Sequence, residues 1–172
     1  HQLVDKDLPF LKKALNLPLS YELLKGRSNY LCLRKLYEEL REGPLLDAES
    51  DDSNFSSGLK YLLDWSERTR TGMLSEIEKP IDRRLTARVC SDADTCMKNR
   101  CPFREGCFVL QARKRAAEAN IVIINHHLLF ADILMREYEG IDADEQAILP
   151  PYDRLIIDEA HNIEKNATNY YR

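Results

Sequence analysis

Apolar residues recur at helical spacing along several stretches of the chain and run together in two others. Leu8, Phe10, Leu11, Ala14 and Leu15 predict a short helix over 5–16, stopped before Pro18. Leu19 to Leu24 reads as a strand or extended segment, and Lys25-Gly26-Arg27-Ser28-Asn29 as a turn whose Ser28 or Asn29 can cap the next helix. That helix, over about 30–42, carries Leu33, Leu36, Tyr37 and Leu40 at helical spacing, with Arg34, Lys35, Glu38, Glu39 and Arg41 elsewhere and Cys32 in its first turn. From Gly43 to Gly58 the pattern gives way to Ser, Asp, Gly, Asn and Pro44, which predicts an acidic loop. Helical spacing returns at Leu59, Leu62, Leu63, Trp65 and Ser66 and runs to about Ile77, with an interruption near Gly72 and a stop at Pro80. Phe108 to Ala119, rich in alanine and closed by Asn120, predicts another helix. A further helical stretch opens at His126.

The two continuous apolar runs are Ile121-Val122-Ile123-Ile124-Asn125 and Arg154-Leu155-Ile156-Ile157-Asp158. Each is short and bounded by polar residues, the signature of a strand buried on both faces. A loop from Glu137 to Tyr152, with Pro150-Pro151, separates the second from the helix before it. Strands of this kind among helices predict an α/β sheet. No internal repeat is visible.

Composition narrows the class. With 172 residues, 44% apolar and 31% charged, the chain suits a globular domain or a domain carrying an insertion. No apolar run is long enough to cross a bilayer. The first residues resemble neither a signal nor a transit peptide, and without an initiator Met the chain is expected to be a piece of a longer protein. A net charge of −4 gives no global attraction to nucleic acid, so any such contact must use local basic surface. The candidate surface is Arg83, Arg84 and Arg88, joined by Lys98, Arg100 and Arg104. These cations suit phosphate contact, or they offset the charge of nearby thiolates and the acidic loop.

Five cysteines without a secretion signal point to a reducing compartment, where metal sites are commoner than disulfides. Cys96, Cys101 and Cys107 fall within twelve residues, a density suited to a soft metal centre. Cys32 or Cys90 could supply a fourth thiolate, although Cys32 by spacing alone also reads as a small buried hydrophobe. Zinc in a four-cysteine structural site is one alternative, and an interaction module with merely buried thiols is another. Adjacent His126 and His127 do not point the same way and are not expected to share a metal. After the second apolar run, Asp158 and Glu159 stand where a nucleotide-hydrolysing domain places a Mg²⁺-holding acid and a water-orienting acid. A helix cap is the plainer reading of the same pair, but Ala160 and His161 complete a DEAH box.

Four motifs in order resemble the iron–sulfur DNA helicases of superfamily 2, of the DinG/YoaA type and XPD-like. They are Lys25-Gly-Arg-Ser-Asn-Tyr-Leu-Cys32, Cys96-x4-Cys101-x5-Cys107, Asn125-His-His-Leu-Leu129 and Asp158-Glu-Ala-His161. The resemblance spans nearly the whole chain, from just after motif Ia through motif II. It implies an α/β fold, part of a RecA-like motor domain with a mostly helical iron–sulfur domain inserted. Residues 1–24 and 116–172 would belong to the motor and 25–115 to the insert. It further implies a [4Fe–4S] cluster on Cys32, Cys96, Cys101 and Cys107, with Cys90 an extra thiol. Asp158 would hold Mg²⁺-ATP, Glu159 would activate water, and His161 would link ATP state to the motor. The parent protein would be a cytoplasmic ATP-dependent 5′–3′ helicase of DNA repair, with no membrane association. Its partners would be single-stranded DNA and forked or damaged duplex, contacted through Arg27, Arg83, Arg84 and Arg88. A phosphate-binding G-x-x-x-x-G-K-[ST] loop is absent, so the 172 residues alone are expected to hydrolyse no ATP.

Overall fold

A computed structural model describes residues 3–16, 18–46, 53–142 and 144–170. Two compact units emerge, one formed by 1–25 with 112–172 and the other by 26–111.

The first unit holds the sheet. Strand β1 (Tyr21–Leu23) and strand β2 (Ile121–Ile123) pair in parallel, with Tyr21 opposite Ile121 and Leu23 opposite Ile123. Parallel neighbours require a long crossover, and here the crossover contains the whole second unit. Helices with a parallel strand pair are thus the architecture of this unit, which keeps the predicted α/β character. The end of the ladder is fastened by Asn120, whose Oδ1 accepts from both the backbone N–H and the hydroxyl of Ser20 at 2.9 and 2.8 Å. Helix α1 (Leu8–Leu15), with Pro9 in its first turn, ends on a left-handed Asn16.

Helix α6 (His126–Glu139) starts where Asn125 Oδ1 accepts the Leu128 N–H at 2.8 Å and stops at Gly140, φ +65°. On its inner side Asp132 is fully buried. One carboxylate oxygen accepts the backbone N–H groups of Ile148 and Leu149 at 2.8 and 2.7 Å, and the other pairs with Arg136 at 2.8 Å. Arg136 in turn donates to the carbonyls of Asp142, Glu145 and Leu149. One buried ion pair therefore holds down the 141–149 connection, which the sequence pattern marks only as a loop.

The second unit is helical. Helices α2 (Leu33–Leu46), α3 (Ser53–Arg68) and α4 (Arg83–Val89) enclose Leu36, Leu62, Leu85 and Val89, none more than 1% exposed. Each such side chain contributes about 1.5–3 kcal/mol relative to an exposed one. Beneath the helices, Tyr30–Cys32 runs extended between two other segments. The Leu31 N–H donates to Gly72 O at 2.9 Å, Cys32 N–H to Val89 O at 2.8 Å, and Ser91 N–H to Tyr30 O at 2.9 Å. Gly72 adopts φ +67°, and a Cβ there would lie 2.1 Å from Phe108 Cγ, so the turn after α3 admits glycine alone. Phe108 opens helix α5 (Phe108–Glu118).

Four sequence expectations need correction, the first being the helix expected to run to about Ile77, which ends at Arg68 and is followed only by a 3₁₀ turn at Leu74–Glu76. Residues 154–158 form no strand and lie in the open, with Ile156 94% exposed and Leu155 and Ile157 at 48 and 41%. Apolar character favours a strand only where a ladder partner and a covering layer exist, and these residues find neither among the described residues. The Ile121–Ile123 strand is half-buried rather than covered on both faces. Between Gly43 and Gly58 the chain is helical at both ends, α2 continuing to Leu46 and α3 starting at Ser53, while 47–52 fall outside the described residues. Packing overrides composition there: a Cβ on Gly58 would meet Leu85 Cδ2 at 2.8 Å, so the glycine permits close approach of α3 and α4.

Replacing Asp132 with Ala is expected to destabilise the first unit by about 3–5 kcal/mol, because Arg136 and two backbone N–H groups lose their buried acceptor. Urea denaturation followed by circular dichroism measures the loss, and limited proteolysis should show new cleavage within 141–149. Asp132→Asn, which keeps one acceptor oxygen, should lose less.

Candidate metal centre and DEAH segment

Cys32 sits immediately before α2, its carbonyl accepting the Leu36 N–H at 2.9 Å. It is therefore a helix cap position, one step before the first turn assigned from the sequence. Neither Ser28 nor Asn29 caps the helix: Arg27–Asn29 form a short 3₁₀ turn in which Asn29 Nδ2 donates to Gly26 O. Burial pushes the Cys32 thiol pKa up, opposed by the Lys35 backbone N–H and by the Arg34 and Lys35 charges, with Cys107 adding to the rise.

The first turn of α2 also gathers the cysteine-rich segment around Cys32. Lys35 pairs with Asp92, whose carboxylate also accepts the Thr95 N–H and hydroxyl. Arg34 donates to Thr95 O at 3.0 Å while pairing with Glu38, and its charge reaches both Cys32 and Cys101. Further along, the Phe103 ring stacks on Tyr37, centroids 4.9 Å apart. A methyl group on Gly106 would meet Leu33 Cδ1 at 3.2 Å, so the chain before Cys107 passes close over the helix start. Between these anchors the backbone reverses through a left-handed Lys98, φ +48°. Cys32, Cys96, Cys101 and Cys107 are all half-buried free thiols, the last three on the segment that packs against α2.

Their donor chemistry suits a soft metal or an iron–sulfur cluster. Among the described residues, however, no three His, Cys, Asp or Glu side chains already converge at metal-binding separations. Cys90 is differently placed. It bridges Leu31 through the backbone at the end of α4, and its thiol donates to Ala87 O at 3.3 Å.

The four arginines proposed for DNA are not equivalent. Arg83 is exposed at the start of α4, and Arg84 folds back on the capping Asp82 at 2.8 Å. Arg88 pairs with Glu39 at 2.9 Å and lies over the Phe55 ring, joining α4 to α2 and α3. Arg27 donates to Asp92 O at 3.1 Å. Arg88 and Arg27 thus make internal contacts that spacing alone does not reveal.

The DEAH residues lie in the first unit, at the exposed turn leading into helix α7 (Ile163–Tyr170). Glu159 takes a left-handed conformation, φ +51°, with its N–H bonded to Asp158 Oδ1 at 2.9 Å. His161 Nδ1 is 3.3 Å from Glu159 Oε2, and the Asp158 carbonyl is 3.1 Å from His126 Nε2. His126 therefore ties the Asn125-His-His segment to the DEAH turn, a link that neither motif states alone.

Residues 23–171 match the DEAD_2 family. The chain belongs to that family. It is 37% identical over 171 residues to the ATP-dependent DNA helicase YoaA of Haemophilus influenzae, covering 99% of this chain and 25% of that protein. It is 32% identical over 181 residues to the ATP-dependent helicase DinG of Mycobacterium tuberculosis, covering 98% of this chain and 26% of that protein. Similarity to the 3′–5′ exonuclease DinG of Bacillus subtilis is 31% over 172 residues, 98% of this chain and 16% of that one. The chain spans about a quarter of the first two relatives. The DinG/YoaA resemblance read from the motifs is thereby established across nearly the whole chain. No helix among the described residues is long and apolar enough to cross a membrane.

Lys35 and Thr95 hold the Asp92 carboxyl well below the usual carboxylate range, the Lys35 bond being the larger cause. A carboxyl with a depressed folded pKa stabilises the fold above its unfolded value of about 4 and loses that contribution as pH falls through the folded value. Asp92→Asn is accordingly expected to be less stable than the parent at pH 7, with the gap closing below about pH 4. Urea titrations followed by Trp65 fluorescence check this, and a gap independent of pH would contradict it.

Proposed function

We propose that this chain is the iron–sulfur region and adjoining motor segment of an ATP-dependent DNA helicase that acts 5′ to 3′ in DNA repair. In this reading a mostly helical insert interrupts a RecA-like motor domain. The observation that carries it is the wrap of 92–107 around the start of α2, in a chain of the DEAD_2 family. Cys32, Cys96, Cys101 and Cys107 would hold a [4Fe–4S] cluster. Such a cluster supplies a cross-link among four chain positions and carries one-electron redox chemistry when bound. Cys32 is preferred to Cys90 because the motif resemblance assigns it, and the Cys90 thiol is bonded to its own helix.

The residues of the chain have distinct tasks in this reading. Arg34 and Lys35 hold the approach to Cys96 against α2 and temper the charge of gathered thiolates. Asp158 would hold Mg²⁺-ATP and Glu159 would orient the attacking water in the complete motor. His161, in contact with Glu159, would sense that site, and His126 would pass its position to α6. Single-stranded DNA and forked or damaged duplex are the proposed partners, and duplex separation is the proposed task of the insert.

Anaerobically purified protein is expected to contain iron and acid-labile sulfide in equal amounts and to absorb visible light. Cys32→Ser, Cys96→Ser, Cys101→Ser and Cys107→Ser should each lose that absorption, and residues 81–110 should become more susceptible to protease. Cys90→Ser should keep both properties. Stoichiometric zinc without sulfide would replace the cluster with a structural zinc site.

Charge removal at Arg83 and Arg84 is expected to weaken single-strand binding and lower its salt slope by roughly 1 per phosphate contact. Arg83→Gln should leave thermal stability unchanged, while Arg88→Gln should reduce it by separating α4 from Glu39. Affinity that is unaltered at low salt would dismiss the α4 surface.

A further inference from the structure

Tyr37 and Phe103 are needed to seat the cysteine segment, but that task does not account for how Tyr37 is placed. A ring serving only as packing is normally covered, whereas Tyr37 remains 44% exposed while stacked on Phe103. The two planes are 18° from parallel with centroids 4.9 Å apart, so Phe103 covers one face of the Tyr37 ring and leaves the side chain partly open to solvent. The charge on the cysteine loop is mainly cationic, with Lys98, Arg100 and Arg104 exposed on the same loop as Phe103, while on α2 Glu38 pairs with Arg34 and Glu42 with Arg41. Residues 97–106 carry three cations and one carboxylate, Glu105, against a net charge of −4 for the whole chain.

An exposed aromatic face bordered by guanidinium and ammonium groups is the chemistry that holds unpaired bases and their phosphates together. A paired base presents no free face, so such a surface selects single strands over duplex. A protein partner would call for a broader apolar surface with fewer like charges, since charged residues are depleted at interface cores.

We infer that Tyr37, backed by Phe103, is a stacking platform for a base of single-stranded DNA, and that Arg104 and Arg100 hold the flanking phosphates. This rests on the DNA-binding reading above and assigns it a contact point on the cysteine loop, separate from the α4 arginines. The stacking contact is insensitive to salt, while the phosphate contacts are not. That difference gives the two residue classes separate signatures.

The test uses the full chain purified anaerobically, with oligo(dT) and a duplex of equal length. Tyr37→Leu is expected to lower oligo(dT) affinity about tenfold without changing the salt slope. Arg104→Gln should lower the slope by about 1. Tyr37→Trp should keep the affinity, and its added indole emission, over the Trp65 background, should be quenched by oligo(dT) and not by the duplex. Quenching in this last variant also reports the contact if Tyr37→Leu disturbs the loop. If the parent binds oligo(dT) but Tyr37→Leu binds equally well and the introduced indole is unquenched, the platform is overturned and the DNA-binding reading stands. If the parent does not bind oligo(dT), both are overturned.

Discussion

The second unit depends on a three-residue extended segment held from both sides. Tyr30, Leu31 and Cys32 give their backbone hydrogen bonds to the turn at Gly72 on one flank and to the end of α4 at Val89–Ser91 on the other. Tyr30 and Leu31 are at most 1% exposed, so these bonds are shielded from competing water. The next residue but one begins α2. The Cys32 backbone is thus anchored at the junction of a buried ladder and a helix start, the support that the proposed ligand role would need.

The cysteine segment has few hydrophobic resources of its own. Its order comes from long side chains on the first turns of α2: Arg34 and Lys35 hold one end, and Leu33 and Tyr37 hold the other. The charges of Arg34 and Lys35 also oppose the rise that burial gives the Cys32 thiol pKa. These contacts separate the basic residues into groups that spacing cannot distinguish. Arg34, Lys35 and Arg88 are engaged inside the unit, whereas Arg83, Arg100 and Arg104 remain open to solvent.

In the first unit a parallel pair of strands requires its connection to leave and return, and the intervening chain is long enough to contain a second unit. The DEAH turn is exposed and carries a left-handed Glu159, a conformation costing of order 1 kcal/mol for a side-chain-bearing residue. Asp158 and Asn162 partly offset it by hydrogen bonds to and from Glu159. The buried Asp132–Arg136 pair stabilises the chain leading toward that turn, through contacts with 141–149.

Much of the helical periodicity, the mixed α/β character and the motif order could be read from local residues. Each depends on spacing along one segment, whereas the family match extends over residues 23–171. What the sequence could not decide depends on partners distant in the chain. The run 154–158 looks like a buried strand by composition, yet burial requires a ladder and a cover that composition does not specify. Arg88 looks like a phosphate contact until Glu39 and Phe55 are placed beside it, and Asp132 looks like a surface acid until Ile148 and Leu149 reach it. The cysteines likewise could be read only as thiols gathered along the sequence. Only the tertiary structure decided that 92–107 wraps the start of α2, because that wrap is made by ion pairs and ring contacts between residues far apart in sequence.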